Sequence, residues 1–301
     1  MTTNMTHTSS TEVIIVNWNT RDLLAQCLSS IFDNAPHNDV RVTVVDNKSA
    51  DGSCEMLEQR FPQVTLIRNP DNAGFGAANN VALKRLSTTY ALLLNSDTVV
   101  PKGAIDLLID FAEAYPRAGV VGCQLLNADQ SDQASWARFP TPLTELLSIY
   151  PRTRYTIIDP RFQAYDVDWV SGACMLVRAS AIKQIGLFDE RFFMYSEETD
   201  LCYRIKKAGW RICHVADSRI VHFGAGSMSR ASARQLKFLY SSKIQYFAKH
   251  QGAGVARAYR YALVGRVLMS MATRVPVAFI AKERKAIKAR WNLAQALVHE
   301  V

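Results

Sequence analysis

Apolar and polar positions alternate in blocks along the first hundred residues. Glu12–Asn17 (EVIIVN) is a short apolar run closed by an amide, the pattern of a buried strand. Arg21–Phe32 follows, with Leu23, Leu24, Cys27, Leu28 and Ile31 at helical spacing. Val40–Asp46 (VRVTVVD), Val64–Arg68 and Tyr90–Asn95 (YALLLN) predict further strands, and Ser53–Phe61 and Ala77–Leu86 predict helices. This β-α-β-α-β-α-β order defines an α/β fold with a mostly parallel sheet flanked by helices. Ligands of such sheets bind beyond the carboxyl ends of the strands. The polar residues closing each strand therefore carry the information: Asn17, Asp46, Asn69 to Gly76, and Asn95 to Asp97.

Beyond Gly119 the pattern is mixed. Val120–Leu126 and Trp169–Arg178 predict strands. Ser196–Ala208 predicts a helix with Leu201, Ile205 and Ala208 on one face and Gly209 as its stop. Arg219–His222 predicts a last strand, followed by a helix from about Ala233 to His250 and a basic, apolar-rich tail. The expected organisation is a flexible terminus over 1–11 and a main domain over 12–230. That domain divides into two halves, 12–100 and 101–230. A basic helical extension over 231–301 completes the chain.

Charge sharpens that division. The chain carries +8 at neutral pH, yet residues 231–301 hold 13 Lys and Arg against 2 Asp and Glu. The rest holds 22 against 25. A basic tail on a near-neutral body suggests an anionic partner for the tail. Residues 255–281 mix apolar side chains with Arg257, Arg260, Arg266 and Arg274, and Pro276 is expected to break the helix there. Lys282, Arg284, Lys285, Lys288 and Arg290 form a second basic stretch. Long Arg stems can lie beside apolar neighbours at an interface. The expected location is therefore cytoplasmic, peripheral on the inner face of a membrane with anionic lipids. A helical pair packed on the body, or a homo-oligomer contact, is the other reading. The composition, 49% hydrophobic and 21% charged, excludes a disordered or fibrous chain. Six cysteines without a C-x-x-C pair argue against a disulfide scaffold or thiolate zinc site and fit a reducing compartment. No signal peptide and no stretch of ~18 apolar residues is read from the sequence.

Several segments could carry chemistry. Asn95-Ser96-Asp97 closes a strand, and a carboxylate there either turns the chain or holds Mg²⁺ or Mn²⁺ with a diphosphate. Asp46 could accept hydrogen bonds from a base or ribose, or simply open a βα loop. The run 69–80 (NPDNAGFGAANN) has Gly74-x-Gly76 at a helix start, which favours close approach of an anion. Asn79 stands where a dinucleotide fingerprint needs a third glycine, so that fingerprint is weak. Ser196-Glu197-Glu198-Thr199-Asp200 opens a helix, either as a cap with favourable acids or as the seat of a general base. His222 is either structural or, beside a cation-binding carboxylate, a ligand.

Taken in order, VIIVNWN, VVDNKSADGS, NPDNAGFGAANN, LLLNSDT, WVSGACMLVRASAIKQIGLFDERFFMYSEETDLCYRIKKAGW and VHFGAGS resemble the family 2 inverting glycosyltransferases, rhamnosyltransferase-like bacterial members in particular. The resemblance spans roughly residues 12–230. It implies a GT-A fold, a nucleotide-sugar donor such as dTDP-rhamnose, a divalent cation, and a glycan or polyprenyl-linked acceptor in cell-envelope polysaccharide synthesis. Carried over by position, Val16, Asn17 and Asp46 would hold the nucleoside, with Asn72, Gly74, Phe75, Asn95 and Ser96 on the donor side. Asp97 and His222 would hold the metal, with Asn95 replacing the first Asp of a D-x-D-type motif. Glu198 would be the base, standing where the family has Asp, with Glu197 and Asp200 as substitutes. Trp169, Ser171 and Gly172 would line the acceptor side. Arg230 and Arg234 are either diphosphate contacts or surface charge. Two rivals remain at this level. A sugar nucleotidyltransferase would need a Gly-rich basic loop after the first strand, where Asn17–Arg21 has no glycine. A noncatalytic nucleic-acid module would need no Asp97, Glu198 and His222 together, so no nucleic-acid partner is expected.

Overall fold

The computed structural model describes residues 10–148, 157–224, 233–272 and 281–299. The chain forms two compact units that interleave in sequence. The first comprises residues up to 139, 153–190 and 198–225; the second comprises 140–152, 191–197 and 226–301.

The first unit is built on one large sheet. Strands β1 (Thr11–Asn17), β2 (Val40–Asp46), β3 (Thr65–Arg68) and β4 (Tyr90–Asn95) alternate with helices α1 (Arg21–Asp33), α2 (Ser53–Arg60) and α3 (Phe75–Leu83). They pair in parallel in the order β3-β2-β1-β4. The register sets Asn17 beside Asp46 and Val16 beside Asn95, so three strand-closing polar residues end at one edge. Alternation along each strand divides the core between the two faces. Val13, Ile15, Leu92 and Leu94 pack on one side; Ile14, Ala91 and Leu93 pack on the other. Each fully buried aliphatic side chain contributes roughly 1.5–3 kcal/mol.

After β4, the short strand β5 (Thr98–Val99) and α4 (Ala104–Ala114) lead into β6 (Ala118–Leu126). The segment that follows holds β7 (Asp132–Gln133), β8 (Trp136–Ala137), α5 (Pro142–Leu147), β9 (Ile157–Asp159), β10 (Ala164–Asp166) and β11 (Trp169–Val170). Then come β12 (Cys174–Arg178), α6 (Ala179–Ile185), α7 (Glu197–Lys207) and β13 (Arg211–His222). The sheet continues β4-β12-β6-β13-β10-β9, with β12 antiparallel to both neighbours. β5 pairs with the end of β13, and β8 pairs with β11 in a separate ribbon.

Two expectations are corrected. Trp169–Arg178 is not one strand: it breaks at Ser171–Ala173, where the chain leaves the β8–β11 ribbon and enters the main sheet. The last strand begins at Arg211, eight residues before the expected Arg219. A register shift between Val215 and Arg219 interrupts its alternation, which hid the first part of the strand. Gly209 does stop α7, with φ +90°.

His214 sits within β13, 1% exposed, between the rings of Trp136 and Tyr165. Burial pushes its pKa down to about 4, and the Cys123 backbone opposes this only weakly. The unfolded chain therefore binds the proton more tightly. Stability is full above the ordinary histidine pKa near 6.5 and falls as pH drops toward 4, by up to ~3 kcal/mol. Urea unfolding of wild type and His214→Phe at a series of pH values checks this. The variant should lose stability less steeply between those values; parallel curves would exclude His214 as the source.

The second unit is helical. It gathers α5, α8 (Ala233–Gln251), α9 (Ala253–Ala272), α10 (Ala281–His299) and residues 191–197. Tyr246, Phe247 and Tyr259 form its aromatic centre. Lys243 pairs with the buried Glu145 carboxylate, Arg266 donates to the Leu146 carbonyl (2.8 Å), and Ser242 donates to the Met194 carbonyl (2.7 Å). Pro276 lies outside the described residues.

Candidate active site

The carboxyl ends of β1, β2 and β4 hold a connected polar network. Asn17 is fully buried, and its amide donates to Asp46 Oδ1 (2.9 Å) and Ser49 Oγ (3.0 Å). Asp46 Oδ2 accepts the Ser49 backbone N–H at 2.9 Å. Thr20 donates to Asn17 Oδ1 (2.6 Å), and its hydroxyl lies 2.8 Å from that of Ser96. Thr20 stands at the N-cap of α1 yet makes no capping bond, which forgoes the ~1 kcal/mol such a cap typically contributes. Its hydroxyl serves the strand-end network instead. Asn47 continues the network, donating to Asn72 Oδ1 (3.3 Å) and the Gly74 carbonyl (3.2 Å). Gly74 then caps α3, which begins at Phe75, two residues before the expected start. Val16 packs with the core on the α3 side.

At the next strand end, Asn95, Asp97 and His222 come together. β5 pairs with β13 so that Thr98 faces His222, and Phe223 N–H donates to the Asp97 carbonyl at 2.9 Å. His222 Nε2 lies 3.3 Å from Asp97 Oδ1 and 3.2 Å from Asn95 Nδ2. Cys27 supports this turn from below, donating to the Asn95 carbonyl; burial pushes its thiol up to about 12, so it stays protonated.

The third group meets at Gly172. A methyl group built there would lie 3.2 Å from Phe75 Cε1 and 3.6 Å from Glu198 Cβ. The residue following the donor-side glycine and the candidate base are thus both in contact range of one backbone position. Glu198 lies in the first turn of α7, where the helix dipole favours a carboxylate. Tyr195 (φ +69°) and Ser196 (φ +66°) precede it in left-handed backbone, which costs of order 1 kcal/mol or more each. Lys206, further along α7, donates to Asp166, Asp168 and the Val167 carbonyl, tying the helix to the segment before Trp169.

Other candidates stand elsewhere. Asp200 is fully buried, and its Oδ2 accepts from Arg204 Nε at 2.8 Å. Arg204 also donates to the Ile185 and Leu187 carbonyls, so this pair anchors the loop after α6. Glu197 is buried and belongs to the second unit. Trp169 donates its indole N–H to the Arg138 carbonyl at 2.9 Å, and Ser171 N–H donates to the Ser135 carbonyl. Arg234 lies in the first turn of α8 over the Phe238 ring, and Arg230 is outside the described residues. Sequence reading passed over Thr20, Ser49, Asn47 and Gln133. Thr20, Ser49 and Asn47 follow strands, but the bonds that draw these residues into the site, Ser49–Asn17, Thr20–Ser96, Asn47–Asn69 and Gln133–His222, join residues 22–89 apart in sequence.

A large, mostly parallel sheet flanked by helices, with polar residues gathered at the carboxyl ends of its strands, is the architecture of a GT-A-type transferase. Residues 9–240 match the family described as Glycosyltransferase like family 2, and the chain belongs to it. It is 30% identical over 296 residues to the N-acetylglucosaminyl-diphospho-decaprenol L-rhamnosyltransferase of Mycobacterium tuberculosis, covering 92% of this chain and 96% of the relative. It is 26% identical to the rhamnosyltransferase WbbL of Escherichia coli K12, covering 79% and 92%. The fold is similar to that of the mannosyltransferase PcManGT from Pyrobaculum calidifontis, solved with GDP-Man and Mn²⁺. The TM-score is 0.59 at 16% identity, over 96% of this chain and 85% of that one. The protein is a glycosyltransferase.

Proposed function

We propose that this glycosyltransferase moves rhamnose from a dTDP-linked donor to a hydroxyl of a glycan or lipid-linked acceptor in cell-envelope polysaccharide synthesis, inverting the anomeric carbon. The observation that carries the reading is the meeting of Phe75, Gly172 and Glu198. The two rhamnosyltransferase relatives, one named for a decaprenol-linked substrate, support the sugar and acceptor. The buried Asn17–Asp46 pair backs Ser49 at the strand ends that form the nucleoside side of the site, while Ser171 and Gly172 border the acceptor. The Glu198 carboxylate takes the acceptor hydroxyl's proton as its oxygen bonds to the anomeric carbon. The bond from that carbon to the diphosphate breaks, and the nucleoside diphosphate leaves with the electron pair. Asp200 pairs with Arg204, and Glu198, whose Cβ lies 3.6 Å from where a Cβ at Gly172 would stand, is the base in this reading.

The residues present fit a divalent cation. The imidazole Nε2 and a carboxylate oxygen face each other at 3.3 Å, and this nitrogen–oxygen donor pair suits Mg²⁺ or Mn²⁺. Among the described residues no group of three His, Cys, Asp or Glu side chains could hold a metal, so phosphate oxygens and water would complete the set. Asp97 and His222 would hold it, and a bound cation neutralises charge on the departing diphosphate. A panel of nucleotide sugars, scored for nucleoside diphosphate release with and without Mn²⁺, tests the function. Release of pyrophosphate instead would point to a nucleotidyltransferase.

A lipid-linked acceptor places the enzyme at a membrane surface. No helix among the described residues is long and apolar enough to cross one. On α9, Arg257, Tyr261, Leu268 and Met269 share an outward, exposed face. No acid occurs between Arg234 and Lys282. Each basic residue near an anionic surface adds up to ~1 kcal/mol. Flotation with phosphatidylglycerol-containing vesicles should recover the wild type at low salt and lose it at high salt. The triple change Tyr261→Ser, Leu268→Gln, Met269→Gln should reduce recovery. Equal recovery of both proteins would remove α9 as the contact.

A further inference from the structure

We infer that Gln133 is a positioning residue that sets the tautomer of His222 and so aims a bare imidazole nitrogen at Asp97. The inference rests on the cation reading given above. Gln133 lies on β7, which folds back along β6 with Gln133 opposite Leu125. Its amide has only one orientation that satisfies its neighbours. Nε2 donates to the His222 backbone carbonyl (3.3 Å) and to Asn127 Oδ1 (3.0 Å), and both of those atoms only accept. Oε1 is thereby turned toward His222 Nδ1, at 2.6 Å. An amide oxygen cannot donate, so Nδ1 must carry the proton.

In a neutral imidazole that leaves Nε2 with a lone pair. Nε2 lies 3.2 Å from Asn95 Nδ2 and 3.3 Å from Asp97 Oδ1. Two acceptors held this close repel until a proton or a metal cation lies between them, and the cation reading takes the second. Backing the second ring nitrogen with a fixed acceptor is also how metal-ligating histidines are commonly oriented. Gly224 closes the ring's remaining freedom. A Cβ at that position would fall 2.4 Å from His222 Cε1 and 2.9 Å from each ring nitrogen, so the backbone lies directly on the imidazole. Any side chain there would have to displace the ring. Gln133 and Gly224 thus hold one imidazole, the first by hydrogen bonding and the second by contact.

The test combines ring-¹⁵N NMR of histidine-labelled protein with titration of Mn²⁺ in the presence of dTDP. His222 is assigned by its missing signals in His222→Asn. Wild type should show the Nδ1–H tautomer without metal, and Gln133→Met should lose that preference. Gln133→Met should also bind Mn²⁺ ~10–100-fold more weakly. Gln133→Glu keeps an acceptor against Nδ1 and should restore the tautomer. Gly224→Ala should shift the His222 signals and weaken Mn²⁺ while leaving the fold intact by circular dichroism. An unchanged tautomer in Gln133→Met, or Mn²⁺ binding equal to wild type, overturns the inference. Wild type that binds no Mn²⁺ with dTDP overturns the cation reading instead, and the metal-free spectra still decide the role of Gln133.

Discussion

Glu198→Gln is expected to slow sugar transfer by ~10²–10⁴-fold, the range typical of losing a general base. The amide keeps the size of the side chain and its place in the first turn of α7, so packing near Gly172 and Phe75 should be retained. What disappears is a group able to accept the acceptor's proton. Binding of the donor should change little, because the proposed nucleoside contacts lie at the ends of β1 and β2, apart from the acceptor hydroxyl. Single-turnover transfer and dTDP binding, measured on the same preparation, separate the two effects. Asp200→Asn is the informative comparison. It breaks a buried pair with Arg204 and should lower stability, commonly by several kcal/mol when one partner is removed. If Glu198→Gln turned over normally while folded Asp200→Asn lost transfer, the base would be Asp200.

Asp97→Ala should abolish most turnover, by ~10³-fold, equivalent to ~4 kcal/mol of lost stabilisation of the leaving diphosphate. Asp97 and His222 are the two side chains proposed to hold the cation, and His222 alone would hold it weakly. The backbone contact from Phe223 to the Asp97 carbonyl does not involve the side chain, so the β5–β13 pairing should survive the substitution. Mn²⁺ titration with dTDP should show weaker binding in the same variant. Normal transfer by Asp97→Ala in excess chelator would exclude a catalytic cation at this position. Removal of Asp97 and removal of the cation should also be non-additive, since both act on one interaction.

Much of the first half of the molecule is legible in the order of residues. The runs EVIIVN, VRVTVVD and YALLLN end in Asn17, Asp46 and Asn95, and each ends a parallel strand as expected. Burial on both faces makes such strands largely apolar near their carboxyl ends, so the polar residue that closes each run marks the strand's exit toward the ligand edge. Glu198 at the start of a helix was visible for a similar local reason: acids gather where the dipole favours them.

The second half resisted the same reading. β12 lies antiparallel between β4 and β6, and β13 carries a register shift; neither follows from apolar periodicity. Trp169–Arg178 reads as one strand because its apolar residues are continuous, yet the chain changes sheets at Ser171–Ala173.

By itself, then, the sequence determined which residues end the parallel strands of the first half and which segments between them are helical, because burial and capping act over a few residues. It also determined the +11 excess of the last 71 residues, because charge needs no geometry. Only the tertiary structure showed that Asp200, one of the candidate acids, is buried against Arg204. Asp200 and Glu198 are two residues apart, but a helix turns ~200° over that distance, and Arg204 takes the one that points inward. Only the pairing of β5 with β13 brought His222 to Asp97, 125 residues earlier, and only the fold-back of β7 set Gln133 behind it. Such partners are chosen by strand register and by which hydrogen-bonding groups burial leaves facing one another, and neither is written in local periodicity.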